Sequence, residues 1–113
     1  MARVGPRRRP QQPRRRGALT SSAREALIVR RIRAVPEGFV STYGDIDPHA
    51  PRMVGHVLAT TQESLPWFRI VRSDGSVAKG PRQLRLLRRE GVPIRDGRVD
   101  LARARFIHAR SNP

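Results

Sequence analysis

The chain has 113 residues, with 24 Lys+Arg against 9 Asp+Glu for a formal net charge of +15, and it contains no cysteine. That length gives room for one domain, and the missing thiols exclude disulfides, thiolate nucleophiles and cysteine-ligated metals. The charge draws such a protein toward polyanions, and no stretch approaches the roughly 20 apolar residues of a membrane span.

Residues 1–17 are a compositional unit of their own. Arg3, Arg7, Arg8, Arg9, Arg14, Arg15 and Arg16 are interrupted by Pro6, Pro10 and Pro13, with no acid among them. Such a segment buries too little apolar surface to offset its ordering entropy, so a disordered Arg/Pro-rich arm is expected, adding sequence-independent phosphate contacts. The arm has no apolar run behind it and does not read as a secretory signal. The foldable unit is expected over 18–105, with 106–113 as a tail.

Order begins near Ser22, which has capping-box spacing to Glu25 and is followed at helical intervals by Leu27, Ile28, Ile32 and Val35. The pattern sends Arg24, Arg30, Arg31 and Arg33 largely to solvent. Pro36-Glu37-Gly38 ends this helix. Val40-Ser41-Thr42-Tyr43-Gly44 leads into Asp45-Ile46-Asp47, which Pro48 and Pro51 keep from growing into a long helix. A second helix is predicted from Pro51 to about Thr61, with Met53, Val54, Val57 and Leu58 inward.

Asp74-Gly75, flanked by 69–72 and 76–79, has the signal of a hairpin. Gly80-Pro81 opens a third helix, with Leu84 and Leu87 inward and Gly91 placed to cap it. Asp96-Gly97 marks another turn, and a short strand through Val99 and Leu101 is expected after it. Helices dominate, small β-hairpins follow, and no repeat occurs: the fold expected is mainly α, a winged helix-turn-helix domain. His49, His56 and His108 lack metal-ligand spacing, and neither metal nor cofactor is expected.

Six segments occur in a characteristic order: Arg33-Ala34-Val35-Pro36-Glu37-Gly38, Val40-Ser41-Thr42-Tyr43-Gly44-Asp45-Ile46, Arg52-Met53-Val54-Gly55, Pro66-Trp67-Phe68-Arg69-Ile70-Val71, Ser73-Asp74-Gly75 and Glu90-Gly91-Val92. Over roughly residues 22–101 the chain resembles the C-terminal DNA-binding domain of the O6-alkylguanine-DNA alkyltransferases. The active enzymes of that family read Pro-Cys-His-Arg-Val-Val, and a tryptophan in place of the cysteine marks the alkyltransferase-like proteins. The resemblance implies a monomeric, non-catalytic protein of the cytoplasm, at the nucleoid. It would bind duplex DNA, flip O6-alkylguanine and mark it for nucleotide excision repair. Its partners would be that DNA and repair proteins, with no membrane.

The same resemblance assigns roles. Trp67 stands for the alkyl acceptor and Phe68 for the relay histidine, so only Glu90 of the relay is kept, and Thr60 or Thr61 lies near the place of the orienting Asn. Trp67, Tyr43, Val71 and Lys79 would form the lesion pocket, Trp67 as an apolar wall beside the O6 substituent. Arg52 would be the finger that fills the gap left by the flipped base. Thr42, Tyr43, Arg52, Met53, Gly55, His56, Arg69 and Arg82 would face DNA, with Arg69 either structural or phosphate-facing. The gap from Tyr43 to Arg52 is shorter than is usual in the family, which predicts a first helix of one turn. The alternative on the same residues is a basic winged helix-turn-helix protein, architectural or regulatory, that binds DNA without lesion preference.

Overall fold

The computed structural model describes residues 20–108; the expected arm over 1–17 and the end of the tail lie outside the described residues. Helix α1 runs Ser21–Ala34 and starts two residues earlier than the Ser22–Glu25 spacing suggests, because the Thr20 hydroxyl accepts the Ala23 N–H at 3.0 Å. The capping box forms elsewhere in the chain. Strand β1, Ser41–Thr42, passes directly into the single turn of α2, Tyr43–Ile46. There the Thr42 hydroxyl accepts the Asp45 N–H and the Asp45 carboxylate accepts the Thr42 N–H, both at 3.0 Å. The shortened first helix of the helix-turn-helix is therefore real, and it is followed by α3, Pro51–Thr60, with Pro51 in its first turn.

A 3-10 turn over Trp67–Arg69 leads into β2, Ile70–Val71, which pairs in parallel with β1: Ser41 opposite Ile70 and Thr42 opposite Val71. The expected hairpin about Asp74-Gly75 is instead a tight turn, with Gly75 donating to the Arg72 carbonyl at 2.8 Å and Arg72 to the Ser76 carbonyl at 3.0 Å. It makes no second strand because Gly75 spends its own carbonyl on Val99 N–H, 2.9 Å away. Helix α4 spans Gly80–Arg89, and Gly91 follows its end with φ +83°. Strands β3, Ile94–Arg95, and β4, Arg98–Val99, form the antiparallel wing, with Asp96 and Gly97 both at positive φ in the turn. Leu101 does not extend β4; it begins α5, Leu101–Ala104.

Two cores flank β2. Ile28, Ile32, Val35, Ile46, Val54, Val57 and Ile70 form one between the first three helices. Val40, Val71, Leu87, Val92, Val99 and Ala104 form the other beneath the wing. Successive side chains of a strand point to opposite faces, so neighbours Ile70 and Val71 serve different cores. The segment after α5 is not a loose tail up to His108. Phe106 donates its N–H to the Val40 carbonyl at 2.7 Å, packs against the first core, and its carbonyl takes the Ser41 hydroxyl. His108, which the spacing left on the surface, sets Nε2 2.7 Å from the Arg31 carbonyl.

α1 also departs from the solvent-facing pattern. Arg24 bonds the buried Asp47 carboxylate at 2.6 Å, Arg31 donates to the Ile46 carbonyl at 2.8 Å, and Arg33 pairs with Glu63. Only Arg30 of the four lacks a partner among the described residues. The reason is geometric: an α2 of one turn cannot stabilise itself, and α1 holds its C-terminal end through Arg24 and Arg31.

Candidate nucleic-acid interface

A cavity of about 190 Å³ opens between α3, the 3-10 turn and the start of α4. Tyr43, the first residue of α2, lines one side with Gly55, Leu58 and Ala59 of α3. Trp67 and Ile70 line the opposite side, and Ala78, Lys79 and Gln83 close the rest. The structure thus brings together three of the four residues expected there, Trp67, Tyr43 and Lys79. Val71 is not among them: it is fully buried in the second core, while Ile70 reaches the cavity. The strand alternation that separates the two was available from the sequence.

The walls are held by backbone and by one buried amide. Thr42 precedes Tyr43 and pairs with Val71, next to Ile70, so the β1–β2 ladder sets the spacing of the two sides. Gln83, 1% exposed, donates from its amide nitrogen to the Phe68 carbonyl at 3.0 Å and the Ile70 carbonyl at 2.9 Å, and accepts the Lys79 N–H at 3.0 Å. It ties the Trp67 segment to the Lys79 loop. Sequence reading missed Gln83; its only signal is a polar residue one turn from Leu87 on the inward stripe of α4.

Trp67 is half-buried, edge-on to Phe68 with ring centroids 5.9 Å apart, and the Arg82 guanidinium lies 5.2 Å over its indole. Such stacking suits arginine's planar, weakly hydrated cation. Gly55 leaves the cavity floor open: a Cβ built there would meet only the Tyr43 ring, at 3.8 Å. Along α3, Val54 and Val57 face the core, while Arg52 and His56, four residues apart, share the exposed stripe. Met53 is half-buried and packs on the first core, so it presents less surface than expected of a groove-facing residue.

Two further residues expected to face DNA are engaged inside the protein. Thr42 is 4% exposed and its hydroxyl caps α2. Arg69 clasps Glu90 through Nε at 2.9 Å and Nη2 at 2.5 Å, and donates from Nη1 to the Val35 carbonyl at 3.0 Å. Glu90 in addition accepts the Gly38 N–H at 3.2 Å. Burial alone would raise the Glu90 pKa, but Arg69 and the Gly38 N–H outweigh it and hold the carboxyl below its ordinary value. Glu90 is therefore a partnered helix-end residue. Thr60 donates its hydroxyl to the His56 carbonyl and Thr61 accepts the Glu63 N–H, so neither hydroxyl reaches Trp67.

The cavity has no acidic residue in its lining, while Lys79 sits in its wall and Arg82 over its indole. Among the described residues no cluster of metal-ligating side chains occurs, and no helix is long and apolar enough to cross a membrane. A helix-turn-helix with a one-turn first helix, a small wing and an aromatic, cation-rimmed cavity defines a class of nucleic-acid-binding domain. The family described as "6-O-methylguanine DNA methyltransferase, DNA binding domain" matches residues 23–92, and the chain belongs to it. Within it, the chain is an alkyltransferase-like protein.

Its relatives fall into two groups. A "DNA base-flipping protein" of Escherichia coli is 41% identical over 87 residues, covering 66% of this chain and 67% of the relative. A "Bifunctional methyltransferase/endonuclease" of Picrophilus torridus is 37% identical over 83 residues, but this chain spans only 28% of its length. The fold matches that of S. pombe Atl1, solved with damaged DNA containing O6-carboxymethylguanine, with a TM-score of 0.67 at 24% identity over 78% of this chain and 98% of that one.

Proposed function

We propose that this protein is a non-catalytic DNA-damage sensor. It binds duplex DNA as a monomer at the nucleoid, turns O6-alkylguanine out of the stack into the Trp67 cavity, and marks it for nucleotide excision repair. The observation that carries the reading is Trp67 itself. An indole, in a chain with no thiol, forms the wall where the resemblance places the alkyl acceptor. Alkyl transfer of the parental kind needs a thiolate, and none exists here.

The O6 atom lies inside the duplex, so a pocket inspects it only after extrusion. Extrusion costs a few kcal/mol, less where alkylation has already weakened pairing, and that difference favours the lesion. Trp67 then offers the adduct an apolar face that unmodified guanine does not use. Arg52, exposed at the start of α3 and without an ion-pair partner among the described residues, is free to enter the vacated stack. That the S. pombe relative in structure was solved with a carboxymethylated guanine in DNA supports this reading.

The test is a gel-shift comparison of one duplex carrying guanine or O6-methylguanine at the same position. A preference for the lesion is expected at physiological salt, and equal binding would sink the sensor reading. The one-turn α2 favours a second reading, a basic DNA-binding protein without lesion preference, because it alters how α3 is presented. Such a protein loses about 10³–10⁵ in affinity between roughly 50 and 200 mM salt on every duplex alike. The sensor keeps its lesion-to-normal ratio through that range.

A further inference from the structure

Helix α4 carries four arginines, Arg82, Arg85, Arg88 and Arg89, all exposed and all opposite its buried residues Gln83 and Leu87. At 3.6 residues per turn they fall within an arc of about 120°. No acid shares that arc, and none of the four is in an ion pair among the described residues. α1 makes the contrast: Arg24, Arg31 and Arg33 are spent on Asp47, the Ile46 carbonyl and Glu63. Like charges three and four residues apart repel along a helix, and Arg82 in its first turn also opposes the macrodipole. An external polyanion relieves both.

The ridge is continuous with the cavity, since Arg82 lies over Trp67 and α4 starts beside Lys79. From Arg82 to Arg89 it runs about 10 Å, the length of roughly three phosphates on one strand. We propose that the α4 ridge is a phosphate track for one strand of the same duplex, beginning at the cavity mouth and extending about three nucleotides beyond the base presented to Trp67. Guanidinium groups suit it, since each can grip a phosphate through two parallel hydrogen bonds. The ridge supplies affinity and orientation without reading sequence. It adds to the sensor reading a second DNA-contacting element on the far side of the cavity from α3.

The test uses the full chain and two variants that each remove two exposed charges: Arg85→Gln with Arg89→Gln on the ridge, and Arg95→Gln on the wing with Arg103→Gln on α5. Affinity is measured against salt for undamaged and O6-methylguanine duplexes, after thermal melts establish that both variants fold. The ridge variant should lower the salt slope by about 2, close to 0.9 per lost phosphate contact, and weaken binding roughly ten- to hundred-fold near 100 mM salt. The wing variant should leave the slope unchanged. Equal slopes for the two variants would mean diffuse net charge and overturn the track, as would a ridge variant that behaves like the parent.

Duplexes shortened on either side of the central base locate the contact. One truncation should abolish the difference between parent and ridge variant; persistence on both shortened duplexes would place the arginines on a second duplex and overturn the proposal. Because the slope is read on undamaged DNA as well, absence of lesion preference would strike the sensor reading alone.

Discussion

Arg24 on α1 donates to one oxygen of Asp47 at 2.6 Å, and the other oxygen accepts the N–H groups of His49 and Ala50, at 3.0 and 3.2 Å. Asp47 is 1% exposed and ends α2, so one carboxylate joins the first helix to the turn that aims α3 and Arg52. Asp47→Ala leaves a part-buried guanidinium and the His49 N–H without their acceptor, while the Ala50 N–H keeps its bond to the backbone carbonyl of that position. The expected loss is about 2–4 kcal/mol, read from urea unfolding. A change below about 0.5 kcal/mol would mean that α2 holds its place by apolar packing alone.

The same carboxylates set the acid limit of the fold. For Asp45, Asp47 and Glu90, burial raises the pKa, but the hydrogen bonds and charges of Arg105, Arg24 and Arg69 outweigh it and hold each below its ordinary value. The folded state therefore binds protons less readily than the unfolded chain, whose carboxyls titrate near about 4. Stabilisation from the three pairs is complete above about pH 5 and disappears as pH falls through 4 and below. Urea midpoints should be level from pH 7 to 5 and fall steeply toward pH 3; a midpoint constant down to pH 3 contradicts the pairing.

Gly75 sits at φ +83° with its would-be Cβ 2.4 Å from the Val99 carbonyl oxygen. The conflict is with backbone, which has no rotamer to move aside. Gly75→Ala should cost more than about 2 kcal/mol and lower Tm by roughly 10 °C or more in a domain of this size. Gly55→Ala is the internal comparison, since its Cβ meets only ordinary contact. It should leave Tm within a few degrees while reducing DNA binding.

These features grade what could be read from residues alone. The three main helices and the one-turn α2 followed from apolar spacing and from Pro48 and Pro51. The resemblance placed Tyr43, Trp67 and Lys79 at one pocket, and all three line the same cavity. What escaped were choices made by tertiary partners. Arg24 and Arg31 look like solvated charges until α2 proves too short to stand alone. Arg69 and Thr42 look outward-facing until Glu90 and the α2 N-terminus claim them. Val71, expected in the cavity, is buried in the second core because strand alternation gives the cavity place to Ile70. Gln83 gave no warning, since a lone polar residue on an inward stripe is visible only when its three partners are.

Trp67 is the single tryptophan of the chain, so intrinsic fluorescence reports on the cavity alone. A base entering beside the indole should quench or shift its emission on adding O6-methylguanine duplex, and less so with the undamaged duplex. Trp67→Ala should reduce the lesion-to-normal binding ratio by roughly ten-fold, the loss of one base–aromatic stacking contact. An unchanged ratio would remove the indole from recognition.

Arg52 and the N-terminal segment should separate specific from general binding. At moderate salt, Arg52→Ala is expected to weaken lesion binding far more than deletion of residues 1–16. A larger loss from the deletion would transfer the leading role to the arm. The deletion should instead show itself as a shallower salt dependence on all duplexes, since it removes only phosphate-seeking charge.

The parallel ladder between Ser41–Thr42 and Ile70–Val71 has a kinetic consequence. Tyr43 and Trp67 flank strands joined through backbone hydrogen bonds, so the distance between them does not wait on a bound nucleotide. The receptor is preorganised, and little of the binding energy is diverted to rearranging it. On the sensor reading proposed above, the slow event in recognition is then the opening of the base pair. Complex formation should follow the lifetime of the damaged pair in free DNA, quickening with adducts that loosen it, while the protein contributes chiefly to how slowly the base returns.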